Sequence, residues 1–393
     1  MKKILLVISL CFILTGCGNY AELDKLAIVT GVAIDKDGDD YEISYLVANS
    51  PKGQTSSKEG EAKTTVYSGT GETIPDAAMI IEQKSPKKIY LGHVNVVIIS
   101  EEIAKDGFFK VADWLFRNPE TRKQFYLLLA KDEKAKNIIK IISPLESFPS
   151  QSIATLLESN RDSKSASTTT TYNNFVGYVL EQGADPIVPT ITIKGNVKEG
   201  SDQSNIETTE PTAYLALGPL AIFKEDKLVG YVKAKESELI NLIQNKIKEI
   251  KYTLNYNDDD ITIDSYNLKT KLSLKDEWHV NLTITGNGNI YNINSDINIS
   301  DPKEIRKIEK KWNKSLQKSL KKLIKKMQNK YKSDIFGFGN KIYSTYPQKW
   351  NQVKDEWNDK YFKQVKVTIN SNLKIPDTGS LKDTLTEAKK WKK

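Results

Sequence analysis

Residues 26–48 read LAIVTGVAIDKDGDDYEISYLVA. Val29, Gly31, Val32 and Ile34 lead into Asp37-Gly38-Asp39, and Tyr41, Ile43, Tyr45 and Val47 follow it. Alternating apolar positions on both sides of an Asp/Gly turn predict a β-hairpin. Downstream, residues 49–63 are polar and rich in Gly, Ser and Lys, which predicts a loop, and Thr64–Ser68 reads as another strand. A helix is expected from about Pro75 to Lys84, entered through Thr73-Ile74-Pro75, because proline suits the first helical turn. Tyr90–Ser100 reads as one buried strand, residues 101–116 as helices, Phe125–Ala130 as a strand and Lys134–Ile142 as a short helix. Strands and helices mixed in this way give an α+β chain, with mixed sheets and packed helices.

At about 150 residues per domain, a chain of 393 residues suggests two or three. Residues 159–174 read as a polar loop, Asn174–Gln182 as a helix and Ile187–Ile193 as a strand. The polar stretch 196–211 is the expected linker. After it, Tyr214–Phe223 and Leu228–Val232 flank Glu225-Asp226 as a second hairpin, a helix covers about 236–248, and Tyr252–Ile293 alternates as antiparallel strands. The expected organisation is an N-terminal α+β domain (26–195), a linker (196–211) and a C-terminal α+β region (212–385). The last divides near residue 300 into 212–300 and 301–385.

The strongest periodic signal lies in residues 301–332. Asp301 stands as an N-cap, Pro302 at the first helical position and Glu304 three residues after the cap. Ile305, Ile308, Trp312, Leu316, Leu320, Leu323, Ile324, Met327 and Tyr331 recur in steps of three and four, which makes one apolar stripe on a long amphipathic helix. Between Lys303 and Lys332 there are 13 Lys or Arg and two Glu, a local charge of +11. The chain as a whole carries +8, or +6 without Lys2 and Lys3, so everything outside this helix nets about −5. The positive charge therefore belongs to one element, and nucleic acid is not its natural partner. Lys310, Lys311, Lys314, Lys318, Lys321, Lys322, Lys325 and Lys326 form a cationic face with two readings: a contact to anionic lipid or an acidic partner, or a solvated face that keeps the helix soluble.

The chain opens with Met1-Lys2-Lys3, an apolar run from Ile4 to Leu14, and Thr15-Gly16-Cys17. A run of about eleven apolar residues falls short of the ~20 that a helix needs to cross the hydrocarbon core, so this pattern is an export signal. Leu14-Thr15-Gly16-Cys17 resembles the lipobox of bacterial lipoproteins, in which the Cys sulfur receives a diacylglyceryl group and the peptide is cut before it. The expectation is a signal peptide over 1–16, lipidation of Cys17 and a tether over 17–25. Two or more acyl chains, at about 0.8 kcal/mol per buried CH₂, hold a protein stably on a membrane where one does not. The other cysteine, Cys11, lies within the signal, so the processed chain has no partner for a disulfide.

With two Cys and two His in all, metal sites and histidine-centred catalysis have little to draw on. His93 and His279 have no Cys or second His at ligand spacing. Gly69-Thr70-Gly71-Glu72 lacks the Lys-Ser/Thr of a phosphate loop, and Gly286-Asn287-Gly288 has no third glycine. No cofactor, metal or catalytic residue is expected.

Four blocks resemble the Ger(x)C family, the lipoprotein C subunits of spore germinant receptors in endospore-forming Gram-positive bacteria. The first is Gly16-Cys17 with Glu22-Leu23 and the hairpin carrying Gly31 and Asp35. The second is Leu91-Gly92-His93 with Ile99-Ser100-Glu101-Glu102 and Phe116-Arg117-Asn118-Pro119-Glu120-Thr121-Arg122. The third is Leu217-Gly218-Pro219-Leu220-Ala221-Ile222-Phe223 with Lys227-Leu228-Val229-Gly230-Tyr231. The fourth is Ser333-Asp334-Ile335-Phe336-Gly337-Phe338-Gly339, then Pro347, Trp350, Trp357, Phe362 and Val365–Ile369. One departure is Gly18-Asn19-Tyr20, where many members carry Trp-Asp. The resemblance implies a multi-domain α+β lipoprotein without enzymatic activity, on the outer face of the spore inner membrane. Its implied partners are the lipid bilayer, a membrane-spanning A subunit and a transporter-like B subunit of the receptor that senses nutrient germinants. In the fourth block Asp334, Phe336, Gly337 and Gly339 read as structural, with a partner contact as the alternative: the glycines allow a tight turn after the helix, and the phenylalanines pack beneath it. The competing expectation is an independent solute-binding lipoprotein of the cell envelope, which would need an interdomain cleft with convergent polar groups.

Overall fold

The computed structural model describes residues 22–49, 62–162, 168–256, 259–293, 297, 299 and 301–377. The signal peptide, Cys17 and most of the 49–63 loop lie outside the described residues, as does the end of the C-terminal region.

The hairpin forms where the alternation places it. Strand β1 (Leu26–Asp37) turns at Gly38, whose φ of 63° is left-handed, into antiparallel β2 (Asp40–Ala48). β3 (Thr64–Gly71) follows on β2, and helix α1 (Ile74–Lys84) begins with Thr73 accepting the Asp76 N–H. The expected strand over 90–100 is two pieces, β4 (Lys88–Tyr90) and β5 (Val96–Ile99). Both run parallel to β1, with Ile28 opposite Tyr90 and Gly31 opposite Val96. The partner thus spends six residues where β1 advances three. The excess loops out through Leu91–Val94, closed by the Val94 N–H on the Leu91 carbonyl.

Helices α2 (Glu101–Asp106) and α3 (Phe109–Arg117), strand β6 (Tyr126–Ala130), helices α4 (Pro149–Asp162) and α5 (Tyr172–Leu180) and strand β7 (Ile187–Gly195) complete the N-terminal part. Helix α4 has no counterpart among the expected elements, and it runs four residues, 159–162, into the expected polar loop. The central strands β1, β5, β6 and β7 are parallel and covered on both faces. Val97 and Ile99 join Ala77, Ile81, Ile103, Phe108 and Phe175 on one side, while Val96 and Ile98 join Leu128, Ile153 and Leu157 on the other. Two-sided burial explains why β5 and β6 read as unbroken apolar runs.

The expected linker is ordered chain within a sheet. Residues 196–211 hold two one-turn helices, Val197–Gly200 and Ser204–Glu207, and join neighbouring antiparallel strands of one sheet, β7 and β8 (Ala213–Lys224). Asn205 fixes this excursion: fully buried, it donates to the Ile142 and Ala213 carbonyls and accepts from the Ala213 N–H. β8 pairs in turn with β9 (Lys227–Tyr231), so the first sheet runs β3-β2-β1-β5-β6-β7-β8-β9 and ends at Tyr231. The break between sheets therefore follows β9.

Helix α6 (Ala234–Ile243) bridges to a second sheet of β10 (Ile250–Tyr256), β11 (Asp259–Asp276) and β12 (His279–Ile293), an antiparallel meander. The basic helix α7 (Pro302–Lys326) is capped by Asp301, which accepts the Lys303 N–H. Glu304 bonds to Lys307 and to the Tyr256 hydroxyl. A π turn over Met327–Tyr331 extends the helix until Lys332, at φ 48°. After α8 (Phe338–Thr345) and α9 (Pro347–Val353), strand β13 (Lys366–Asp377) returns parallel to β12. Residues 301–377 thus complete the sheet begun at 250, across the border expected near residue 300. Asn313 of α7 exchanges hydrogen bonds with the Leu373 backbone and Glu309 accepts the Ile375 N–H, so the helix satisfies the edge strand's free groups.

Candidate functional site

The segment Ser333-Asp-Ile-Phe-Gly-Phe-Gly339 leaves the π turn and folds around the carboxylate of Asp334, which is 1% exposed. Gly337, at φ 72°, takes the left-handed conformation that turns the chain back. The turn directs three backbone N–H groups at the carboxylate: Phe336 and Phe338 donate to Oδ1, both at 3.2 Å, and Gly339 donates to Oδ2 at 2.7 Å. The Trp357 indole N–H adds a fourth bond, to Oδ2 at 3.1 Å. Phe336 and Phe338 stack at 5.2 Å, and Phe338 is fully buried.

A second buried carboxylate, Asp185, completes the knot from a part of the chain 149 residues away. Its N–H donates to the Asp334 carbonyl, and its Oδ2 accepts from the Asp334 N–H and from Asn358 Nδ2. Its Oδ1 accepts the Glu225 N–H in the β8–β9 turn. Ser333 donates to the Phe223 carbonyl. The segment before β7, the β8–β9 turn and the chain after α7 are thereby tied together where the two sheets meet. Gly183 and Gly339 make the approach possible: a Cβ on Gly339 would lie 2.7 Å from the Gly183 Cα and 2.8 Å from Trp350. No pattern in the linear sequence marks Asp185 or Asn358 as partners of Asp334.

Burial pushes Asp334 up to about 7, with the Gly339 and Phe338 N–H groups opposing it and the Asp185 charge adding to it. Burial also raises Asp185, against the N–H of Glu225. All the acceptor capacity of Asp334 faces N–H donors, an arrangement suited to fixing backbone rather than to accepting a substrate proton. A cavity of about 350 Å³ lies beside the knot, lined by Gln182, Asp185, Trp350 and Asn358 among others. A larger groove of about 560 Å³ lies away from it, between α1 and α3. Among the described residues, no group of three or more His, Cys, Asp or Glu is placed to hold a metal ion. His93 is exposed in the turn before β5, and His279 bonds to Thr368.

The cationic face divides. Lys326 is half-buried and both Glu236 oxygens hold it, at 2.8 and 2.7 Å, so it is a structural ion pair between α7 and α6. That corrects its place among the contact residues. Lys310, Lys311, Lys314, Lys318, Lys321, Lys322 and Lys325 are exposed. Ile308, Trp312, Leu316, Leu320, Leu323 and Ile324 are buried beneath them. No described helix is long and apolar enough to cross a membrane.

Residues 19–193 match the family model described as the spore germination protein N-terminal domain, and residues 219–379 match spore germination B3/GerAC-like, C-terminal. Spore germination protein KC of Bacillus subtilis (strain 168) is 28% identical over 394 residues, covering 96% of each chain. Spore germination protein GerQC of Bacillus cereus is 26% identical over 385 residues, 96% of this chain and 99% of the relative. In three dimensions the chain is similar to the crystal structure of the GerBC protein, with a TM-score of 0.52 over 88% of this chain and 97% of that one. At 17% identity the likeness is one of fold.

Proposed function

Because the chain belongs to the family of GerAC-like spore germination proteins, we propose that it serves germination as the lipid-anchored, non-enzymatic C subunit of a nutrient germinant receptor. It stands on the outer face of the spore's inner membrane, held by acylated Cys17, beside the membrane-spanning A subunit and the transporter-like B subunit. The observation that carries this reading is the end-to-end match: both family models are present in order, and the relatives are covered almost completely. The lipobox-like Leu14-Thr15-Gly16-Cys17 supports the anchor. At the junction of the sheets, the buried Asp185 and Asp334 and the half-buried Asn358 are bonded to one another and to backbone. Asp185 and Asn358 border the cavity beside the knot, but their polar atoms are taken up by these bonds rather than offered to a ligand, which weighs against an independent solute-binding protein.

Cys17→Ala in the native host tests the anchor. The variant is expected to lack the acyl group, to leave the membrane fraction and to cut nutrient-triggered germination by about tenfold or more, since stable membrane attachment depends on the acyl chains. Normal germination with the variant in the soluble fraction would refute it. Capture of the A and B subunits with the tagged wild-type chain tests the complex, and saturable germinant binding by the purified chain alone would favour the solute-binding alternative.

A further inference from the structure

At 3.6 residues per turn, the seven exposed lysines of α7 fall on one arc of about 120°, centred opposite the buried stripe of Ile308, Trp312 and Leu316. Between residues 310 and 325 every position on that arc is lysine, over a length of about 22 Å. No carboxylate among the described residues pairs with any of the seven. The acids near the helix are engaged elsewhere: Glu304 with Lys307, Glu309 with Lys374 and Glu236 with Lys326. A face needed only for solubility would mix signs, because like charges three and four apart destabilise a helix and Glu/Lys pairs at that spacing support it. Here the repulsion between Lys310 and Lys314, Lys314 and Lys318, and Lys321 and Lys325 stands uncompensated, while the rest of the chain is slightly acidic.

We propose that this lysine face lies on the anionic headgroups of a lipid bilayer and sets how the protein sits on the membrane. The inference deepens the proposed function, since it rests on the reading that holds the chain at a bilayer. The arc carries no aromatic or aliphatic side chain to act as an anchor, and no arginine fork for bidentate pairing. A protein interface of this size would need such anchors. A fluid surface of diffuse negative charge needs only point charges, each worth roughly fivefold in affinity near an anionic membrane.

The test compares the full unacylated chain with a variant carrying Lys310→Gln, Lys314→Gln, Lys318→Gln, Lys321→Gln and Lys325→Gln. Both are co-sedimented with vesicles of phosphatidylcholine alone or with equal parts of phosphatidylglycerol. The wild-type chain is expected to prefer the anionic vesicles, to lose at least about a hundredfold in that preference on substitution, and to release as salt shortens the Debye length. Glutamine keeps the helix propensity, so circular dichroism should match; were the variant unfolded, the salt and lipid dependence of the wild-type chain alone decides. Equal binding to both vesicle types, or an unchanged preference in a folded variant, would overturn the proposal. So would a variant that keeps its vesicle preference and loses only the capture of A and B subunits, which would assign the face to an acidic protein. The comparison needs no acyl group, so its failure would leave the Cys17→Ala result standing, and the reverse.

Discussion

Asp334→Ala is expected to lower the unfolding free energy by about 3–5 kcal/mol, read from the urea midpoint of Trp350 and Trp357 fluorescence. The substitution leaves the N–H groups of Phe336, Phe338, Gly339 and Trp357 without their acceptor in a site closed to water. A buried donor without a partner costs about 1–3 kcal/mol, and collapse of the turn would offset part of the sum. Asp334→Asn keeps the shape but offers one acceptor oxygen where the carboxylate has two, turning an NH₂ toward two N–H donors; about 2–4 kcal/mol is expected. A change below about 0.5 kcal/mol in both variants would show that the knot does not hold the sheets together.

The same carboxylate ties stability to pH. Its folded-state pKa, about 7, lies above its ordinary 3.8, so the native chain binds the proton more tightly than the unfolded one. The stability this contributes is complete below about pH 4 and is lost as pH rises through about 7. Asn cannot titrate, so the gap between wild type and Asp334→Asn should narrow as the pH is raised from about 5 to about 8. A gap that widened would mean that the four N–H donors outweigh burial.

Local pattern carried the elements but not their partners. The 26–48 hairpin and the capped start of α7 were legible because turn, cap and periodicity act within a few residues, and the expected stripe is buried in the structure except for half-buried Ile305. The break between β4 and β5 was not legible, because continuous apolar character records burial and says nothing of a neighbour that advances more slowly. The polar stretch 196–211 looked like a linker because its side chains face water. What places it inside a sheet is the pairing of β7 with β8 and the two carbonyls bound by Asn205. The two family models also leave 194–218 between them, although the sheet continues through that stretch. In the 334–339 block the turn and the packed phenylalanines could be argued from Gly and Phe. The second carboxylate, Asp185, could not, since it meets Asp334 only once both sheets are built.

Trp312→Ala should be the most damaging change in α7, costing about 3–5 kcal/mol, because it removes the largest side chain from the contact between the helix and the second sheet. The indole lies over the β12 backbone at Gly288, where a Cβ would come within 2.8 Å of Cη2 and 2.6 Å of Ile263 Cγ2. The glycine thus makes room for the ring, and the two positions should be coupled. Gly288→Ala alone is expected to cost about 1–3 kcal/mol through overpacking. In the Trp312→Ala background the same change should cost less, though not nothing, because the Ile263 contact persists. Additive costs would mean that ring and glycine do not share the space. The cycle also bears on the lysine face. That face points outward only because the stripe centred on Trp312 points inward, so a helix loosened on the sheet should lose its preference for anionic vesicles while keeping every lysine.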